Sequence, residues 1–225
     1  MAAHTQIIDL YGIPACGKTT LAEYMAKHPK NGLKVATMRD CMRSALNNKW
    51  KLARSISLKN FGASVRLKFS APIDKKRRAI SFKSVLFVGA FKNYVRKYTD
   101  YDIVVTDHGD IQSFVSLERG DDLHKLGKFK KACLQYLEAS LSTAFVYCQI
   151  DAGTALQRMN NRSRDRGRID SISDQNLKLQ ELNKEISCFD FWTAMLKERS
   201  VTLLEVDAKE PSSKIAENLF LLLQK

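Results

Sequence analysis

Five short apolar runs recur along the chain: residues 6–10 (QIIDL), 33–37 (LKVAT), 102–106 (DIVVT), 144–150 (AFVYCQI) and 201–206 (VTLLEV). Each is brief and nearly continuous, the pattern of a strand covered on both faces. Longer segments with helical spacing lie between them, at about 19–27, 82–98, 125–141, 153–161, 174–198 and 212–223. In the last, Ile215, Leu219 and Leu222 recur at turn spacing. Strands alternating with helices predict right-handed βαβ units and an α/β fold with a parallel sheet. Ligands are then expected beyond the carboxyl ends of the strands. Residues 47–78 fit neither period and predict an irregular or short-helical insertion. Phe87, Phe91, Tyr94 and Tyr98 recur at 4, 3 and 4 residues, which predicts a helix face turned into the core.

Composition narrows the classes. The chain has 225 residues, 44% hydrophobic and 27% charged, as ordinary globular domains do, so a single domain is expected and disorder is not. Five cysteines without C-x-x-C spacing indicate neither a disulfide framework nor a zinc site, and suit reduced thiols in a cytoplasm. No signal peptide is read at the N-terminus. The longest apolar stretch, residues 85–91, is far short of a membrane span, so no membrane partner is expected.

The charge is unusual: 37 Lys+Arg against 24 Asp+Glu, formally +13. Residues 40–100 hold 15 basic and 3 acidic groups, nearly the whole excess. Such a field attracts a polyanionic partner or substrate and is silent about fold.

The chemistry lies at the strand ends. Gly12-Ile13-Pro14-Ala15-Cys16-Gly17-Lys18-Thr19 matches G-x-x-x-x-G-K-[ST] between a strand and a helix. The glycines let backbone N–H groups, and those of the helix start at Thr19 and Thr20, point at phosphate oxygens. Lys18 supplies a cation for the phosphates and Thr19 a hydroxyl for Mg²⁺. Cys16 sits near a helix N-terminus, where a thiol pKa falls. Asp107 closes the third strand and suits Mg²⁺ or the acceptor's proton; His108 beside it is a candidate substrate contact. Arg39 ends the second strand, within reach of an acceptor phosphate. Five arginines fall within residues 158–168; Arg158 and Arg162 share a helix face, and Arg164, Arg166 and Arg168 surround Gly167. Such a segment can close over a triphosphate. Residues 206–211 (VDAKEP), after the fifth strand, could border an adenine ring.

The pieces GIPACGKTT, TMRD, VVTDHGDIQ, LQRMNNRSRDRGRID and VDAKEPSSKIAENL together resemble the P-loop nucleotide kinases, most closely the thymidylate kinase and deoxynucleoside kinase branch. The resemblance implies a three-layer α/β/α fold with a five-stranded parallel sheet in the order 2-3-1-4-5. It implies ATP- and Mg²⁺-dependent transfer of a phosphoryl group. It assigns Lys18 and Thr19 to ATP and metal, Asp107 to the metal or base position, Arg158, Arg162, Arg164 and Arg166 to a lid at about 158–170, and Ala208 and Lys209 to the adenine. The chain departs from the thymidylate kinase pattern in three places: His108 stands where arginine is usual, Tyr11 where an acid is, and no Pro-Gly-Gly follows Arg39-Asp40.

Residues 41–100 match nothing, and the family recognises its acceptor there. The expected acceptor is an anionic small molecule, a nucleoside monophosphate first, held by the basic stretch. A nucleoside, a sugar or a polynucleotide end remains open, as does a nucleotide-switched binder of nucleic acid. A homodimer is compatible with the family.

Overall fold

The computed structural model describes residues 5–70, 75–118, 125–162 and 168–223; the side chains of 75–81 lie outside the description. Five strands form one parallel sheet: β1 (Gln6–Tyr11), β2 (Val35–Thr37), β3 (Ile103–Thr106), β4 (Ala144–Gln149) and β5 (Thr202–Asp207). Their spatial order is β2-β3-β1-β4-β5, as the motifs imply. β1 is central, with Ile7 opposite Val104 on one side and Leu10 opposite Val146 on the other.

Alternation along the strands divides the core. Ile7, Ala36 and Val104 pack with Phe91, Tyr94 and Val95, while Ile8, Val105 and Val146 join the larger cluster on the opposite face. The flanking helices are α1 (Lys18–Lys27), α2 (Met38–Asn47), α3 (Lys49–Arg54), α4 (Leu58–Ser70), α5 (Lys75–Tyr98), α6 (Asp110–Glu118), α7 (Gly127–Glu138), α8 (Ala152–Asn160), α9 (Gln175–Lys197) and α10 (Ser212–Leu223). Among the described residues no helix is long and apolar enough to cross a membrane.

Residues 38–98 carry more regular structure than their sequence predicts. α2 starts in a capping box: the Asp40 N–H donates to the Thr37 hydroxyl (3.3 Å) and the Thr37 N–H donates to the Asp40 carboxylate (3.0 Å). α5 begins before residue 82, and Phe91 and Tyr94 are buried on it as the spacing predicts, while Tyr98 stays partly exposed.

One lysine of the basic stretch is inside. Lys92 on α5 is 1% exposed, and its ammonium lies 2.7 Å from Asp9 on β1 and 2.8 Å from Asp110 at the start of α6. It also donates to Ser142 Oγ at 2.6 Å. Thr106 donates to Asp9, and Ser140 to Asp110. Burial lowers the Lys92 pKa, but Asp110 and Asp9 outweigh it and hold it above the ordinary lysine value. Burial, seconded by Asp9, holds Asp110 above the usual carboxylate range against the pull of Lys92. Gly109 packs directly over Asp9, so a Cβ there would collide with the carboxylate.

Removing one partner of a buried ion cluster leaves the others uncompensated. Lys92→Met is therefore expected to lose about 3–5 kcal/mol of stability in urea unfolding. Gly109→Ala should lower the same midpoint through the clash with Asp9, whereas Lys97→Met, one turn on and exposed, should leave it nearly unchanged.

Candidate functional site

The carboxyl ends of β1, β2 and β3 open onto the site. The phosphate-binding loop leaves β1 at Tyr11, whose buried hydroxyl hydrogen-bonds Thr193 (2.8 Å); this is the position where an acid is usual. Gly12 has φ +145°, and a Cβ on it would lie 2.6 Å from the Cys148 carbonyl oxygen, so glycine is required. Gly17 caps α1 at φ +94°. Ala15 also takes a left-handed conformation, φ 65°, a strained one for a residue with a Cβ. Ile13 and Cys16 are buried beneath the loop, and Pro14 is half-buried.

Lys18 Nζ donates to the carbonyls of Gly12 (2.7 Å) and Ile13 (3.0 Å) and lies 3.4 Å from Cys16 Sγ. A hydrogen bond from Cys148, with Lys18 alongside, lowers the Cys16 thiol to about 6 against the effect of burial. All five cysteines are free and buried.

Thr19 Oγ1 donates to Asp107 Oδ2 at 2.6 Å, joining the start of α1 to the end of β3. A hydroxyl and a carboxylate are hard oxygen donors, a set that fits Mg²⁺ completed by phosphate and water.

Two cavities meet at Thr19. The first, about 500 Å³, is lined by Gly17, Lys18, Thr20, Arg158, Arg162 and Ala208 among others. Arg158 spans it, donating to the carbonyls of Ala15 (3.4 Å) and Ala208 (3.1 Å). Arg162 lies 3.9 Å from Asp170. Arg168 is turned to α9, paired with Glu181 (2.7 Å) and Glu185 (3.3 Å). Arg164 and Arg166 lie outside the described residues. Lys209 does not line this cavity; its ammonium pairs with Asp151 at 2.8 Å, while Glu210, Pro211 and Ser212 border the space.

The second cavity, about 830 Å³, is walled by Asp107, His108 and residues of α1, α2, α5 and α6. Met38, Met42, Phe87 and Val88 give it an apolar side; Glu23, Arg39, Ser84 and Ser113 give it polar groups. Arg39 lines this cavity, with its guanidinium largely exposed and 3.8 Å from Glu23. Desolvation by the surrounding chain holds His108, although its surface is exposed, below the ordinary imidazole value, Asp107 opposing and Lys18 adding to the effect, so the ring is mostly neutral at pH 7. It places no positive charge where arginine is usual.

The basic stretch contributes α5 and part of α2 to the wall of the second cavity, though few of its charges. Among the described residues of 40–100, Lys83 is the basic residue that lines the second cavity. Lys92 is locked inside with two carboxylates, and Arg43, Lys49, Lys51, Arg54, Lys59 and Arg66 are exposed on the helices.

Sequence reasoning missed Asp9, Lys92 and Asp110, which hold the site from below. The signal was available: Lys92 falls on the buried stripe Val85–Val88–Lys92–Val95, and Asp9 interrupts an apolar strand. Glu23 was also missed, four residues after Thr19 on the same face of α1.

No family model matches the chain, and no curated protein matches it in sequence. Its fold is shared with solved structures of deoxyadenosine kinase from M. mycoides. The form with bound dATP is 14% identical over 98% of this chain and 100% of that one, with a TM-score of 0.53. The form with bound dCTP is 15% identical over 97% and 99%, at 0.53. The form with the products dCMP and a flexible dCDP is 13% identical over 97% and 99%, at 0.52. The chain thus has the P-loop deoxynucleoside kinase fold across nearly its whole length.

Proposed function

We propose that this protein transfers the γ-phosphoryl group of ATP to a hydroxyl of a nucleoside-class acceptor. The observation that carries the reading is the meeting of the two cavities at Thr19, one over the phosphate loop and one walled by Asp107. ATP occupies the first, its phosphates on the loop N–H groups, Lys18 and the start of α1 at Thr19 and Thr20, its base beside Ala208. The acceptor occupies the second. Its apolar side suits a flat base and its polar groups a sugar, and the structures of like fold hold deoxynucleotides.

The acceptor oxygen bonds to the γ-phosphorus, the bond to the ADP oxygen breaks, and Asp107 accepts the hydroxyl proton. Thr19 and Asp107 are the residues that would hold Mg²⁺, which neutralises phosphate charge when bound. Arg158 and Arg162 add fixed cations beside the transferring group, with Arg164 and Arg166 assigned to the same lid by resemblance. Catalysis is then mainly positioning and charge neutralisation. Arg39 and Lys83 at the second cavity also suit an acceptor that already bears a phosphate, which keeps a nucleoside monophosphate as the second reading.

ATP consumption screened against nucleosides, nucleoside monophosphates and phosphorylated sugars is expected to show turnover with a nucleoside. Turnover with monophosphates alone would move the acceptor to the second reading, and silence across the panel would overturn phosphoryl transfer. Lys18→Ala is expected to abolish turnover with an unchanged circular dichroism spectrum. Asp107→Asn should lower kcat by about 10²-fold or more, the range of a lost general base.

His108 gives a pH test. Its folded pKa lies below the free value of 6.5, so protonation costs stability as pH falls below 6.5 and nothing above it. Urea unfolding of His108→Gln should therefore lose less stability than wild type between pH 6.5 and 5, with no difference in slope above pH 7.

A further inference from the structure

The basic stretch that the catalytic reading leaves unused exposes apolar side chains on α3 and α4. α4 has two opposite faces. Asn60, Ala63, Ser64 and Leu67 are buried against α5 and α7. Leu58, Phe61, Val65 and Phe69, spaced at 3, 4 and 4 residues, fall within roughly 80° on the outer side. Leu58 is 91% exposed and Phe69 67%. Phe82 of α5 meets Phe61 edge-on from the inner side. On α3, Leu52 turns inward while Trp50 turns out, 82% exposed. Most large apolar side chains exposed among the described residues thus lie between 46 and 98.

Cations frame this surface. Lys49, Lys51, Arg54, Lys59, Arg66 and Lys68 lie on α3 and α4, and none pairs with a carboxylate among the described residues. Lys59 and Arg66 reach only a carbonyl and an amide oxygen. The sole acidic residue between 41 and 99 is Asp74.

We propose that the outer face of α3 and α4 docks the protein on an anionic lipid bilayer. The helix lies in the interface with its Leu-Phe-Val-Phe stripe among the acyl chains and its cations at the headgroups, pairing an apolar and an electrostatic signal. Trp50 sits at headgroup level, where indole is favoured. A second copy of this chain fits poorly, because two faces bearing this charge repel. Single-stranded nucleic acid fits poorly because Leu58 and Val65 cannot stack on bases. That no helix among the described residues is long and apolar enough to span a membrane does not bear on a helix that lies on the surface.

Tryptophan supplies the probe: Trp50 is exposed and Trp192 is fully buried, so a vesicle-induced change reports Trp50. With vesicles of equimolar phosphatidylcholine and phosphatidylglycerol in about 0.15 M salt, the full chain is expected to co-sediment and its emission to shift to shorter wavelength. Pure phosphatidylcholine should retain much less. The Trp50→Ser, Leu58→Ser and Phe69→Ser variants should each cut the sedimenting fraction about fivefold or more while urea midpoints stay near wild type. No sedimentation with anionic vesicles, or sedimentation untouched by these variants, overturns the proposal. So does tight retention of single-stranded DNA lost in the same variants without vesicle binding, which assigns the face to nucleic acid. A dimer by analytical ultracentrifugation that those variants dissociate, again without vesicle binding, assigns it to a second copy.

Discussion

An ammonium group with no access to water sits between two carboxylates in this protein, and the geometry of the site depends on it. Lys92, Asp9 and Asp110 come from α5, β1 and the start of α6, three elements far apart in sequence. Isolated, any one of these charges would be costly to bury; together, with Thr106, Ser140 and Ser142 supplying hydroxyls, they offset most of that cost, and Asp110 Oδ1 is the oxygen left without a hydrogen bond. The cluster is unforgiving, because each member is held only by the others. Gly109 must lack a side chain for Asp9 to fit, and Asp107 and His108 immediately precede it. The turn that presents Asp107 is thereby pinned from below, and the hydrogen bond to Thr19 pins it from above.

α5 carries that constraint outward. Lys92 anchors it to the sheet, and one to two turns earlier Ser84, Phe87 and Val88 form a wall of the larger cavity. The phosphate loop is anchored separately, by Gly12 against the Cys148 carbonyl and by Arg158 bridging Ala15 to Ala208. The two halves meet through a single threonine. Tight positioning of both is what phosphoryl transfer requires, since most of its barrier is lowered by placement and charge.

The sheet and the phosphate loop were legible because their signals are local: apolar runs bounded by turn residues, and glycines at fixed spacing before a lysine. All five strands form, with ends moved by one or two residues. α2 announced itself through Thr37 and Asp40, yet the segment was read for its strand and for Arg39 and not for capping. α6 escaped because nearly all its residues are buried, which erases the amphipathic stripe that marks a surface helix. The charge cluster escaped because its members are linked only through space. A lysine in a stretch that holds fifteen basic residues looks solvated, and only the stripe it occupies on α5 betrays it. The partner of the Lys209 ammonium, Asp151, was hidden for a similar reason, since it is reached only through space.

The net charge of +13 therefore has no single meaning. One cation of the basic stretch stabilises the interior, one faces the larger cavity, and those on α3 and α4 stand on an outer surface with exposed aromatic and aliphatic side chains between them. Burial sorts them, and burial is decided by the helix faces: α5 turns Lys92 to the sheet and Lys83 to the cavity, while α4 turns Asn60, Ala63, Ser64 and Leu67 inward against α5 and α7. Leu58, Phe61 and Phe69 take the outward side. An outer face built from Leu58, Phe61 and Phe69 costs solubility in a protein that stays free in water. It is stable where something apolar covers it, and the cations around it make that cover an anionic one.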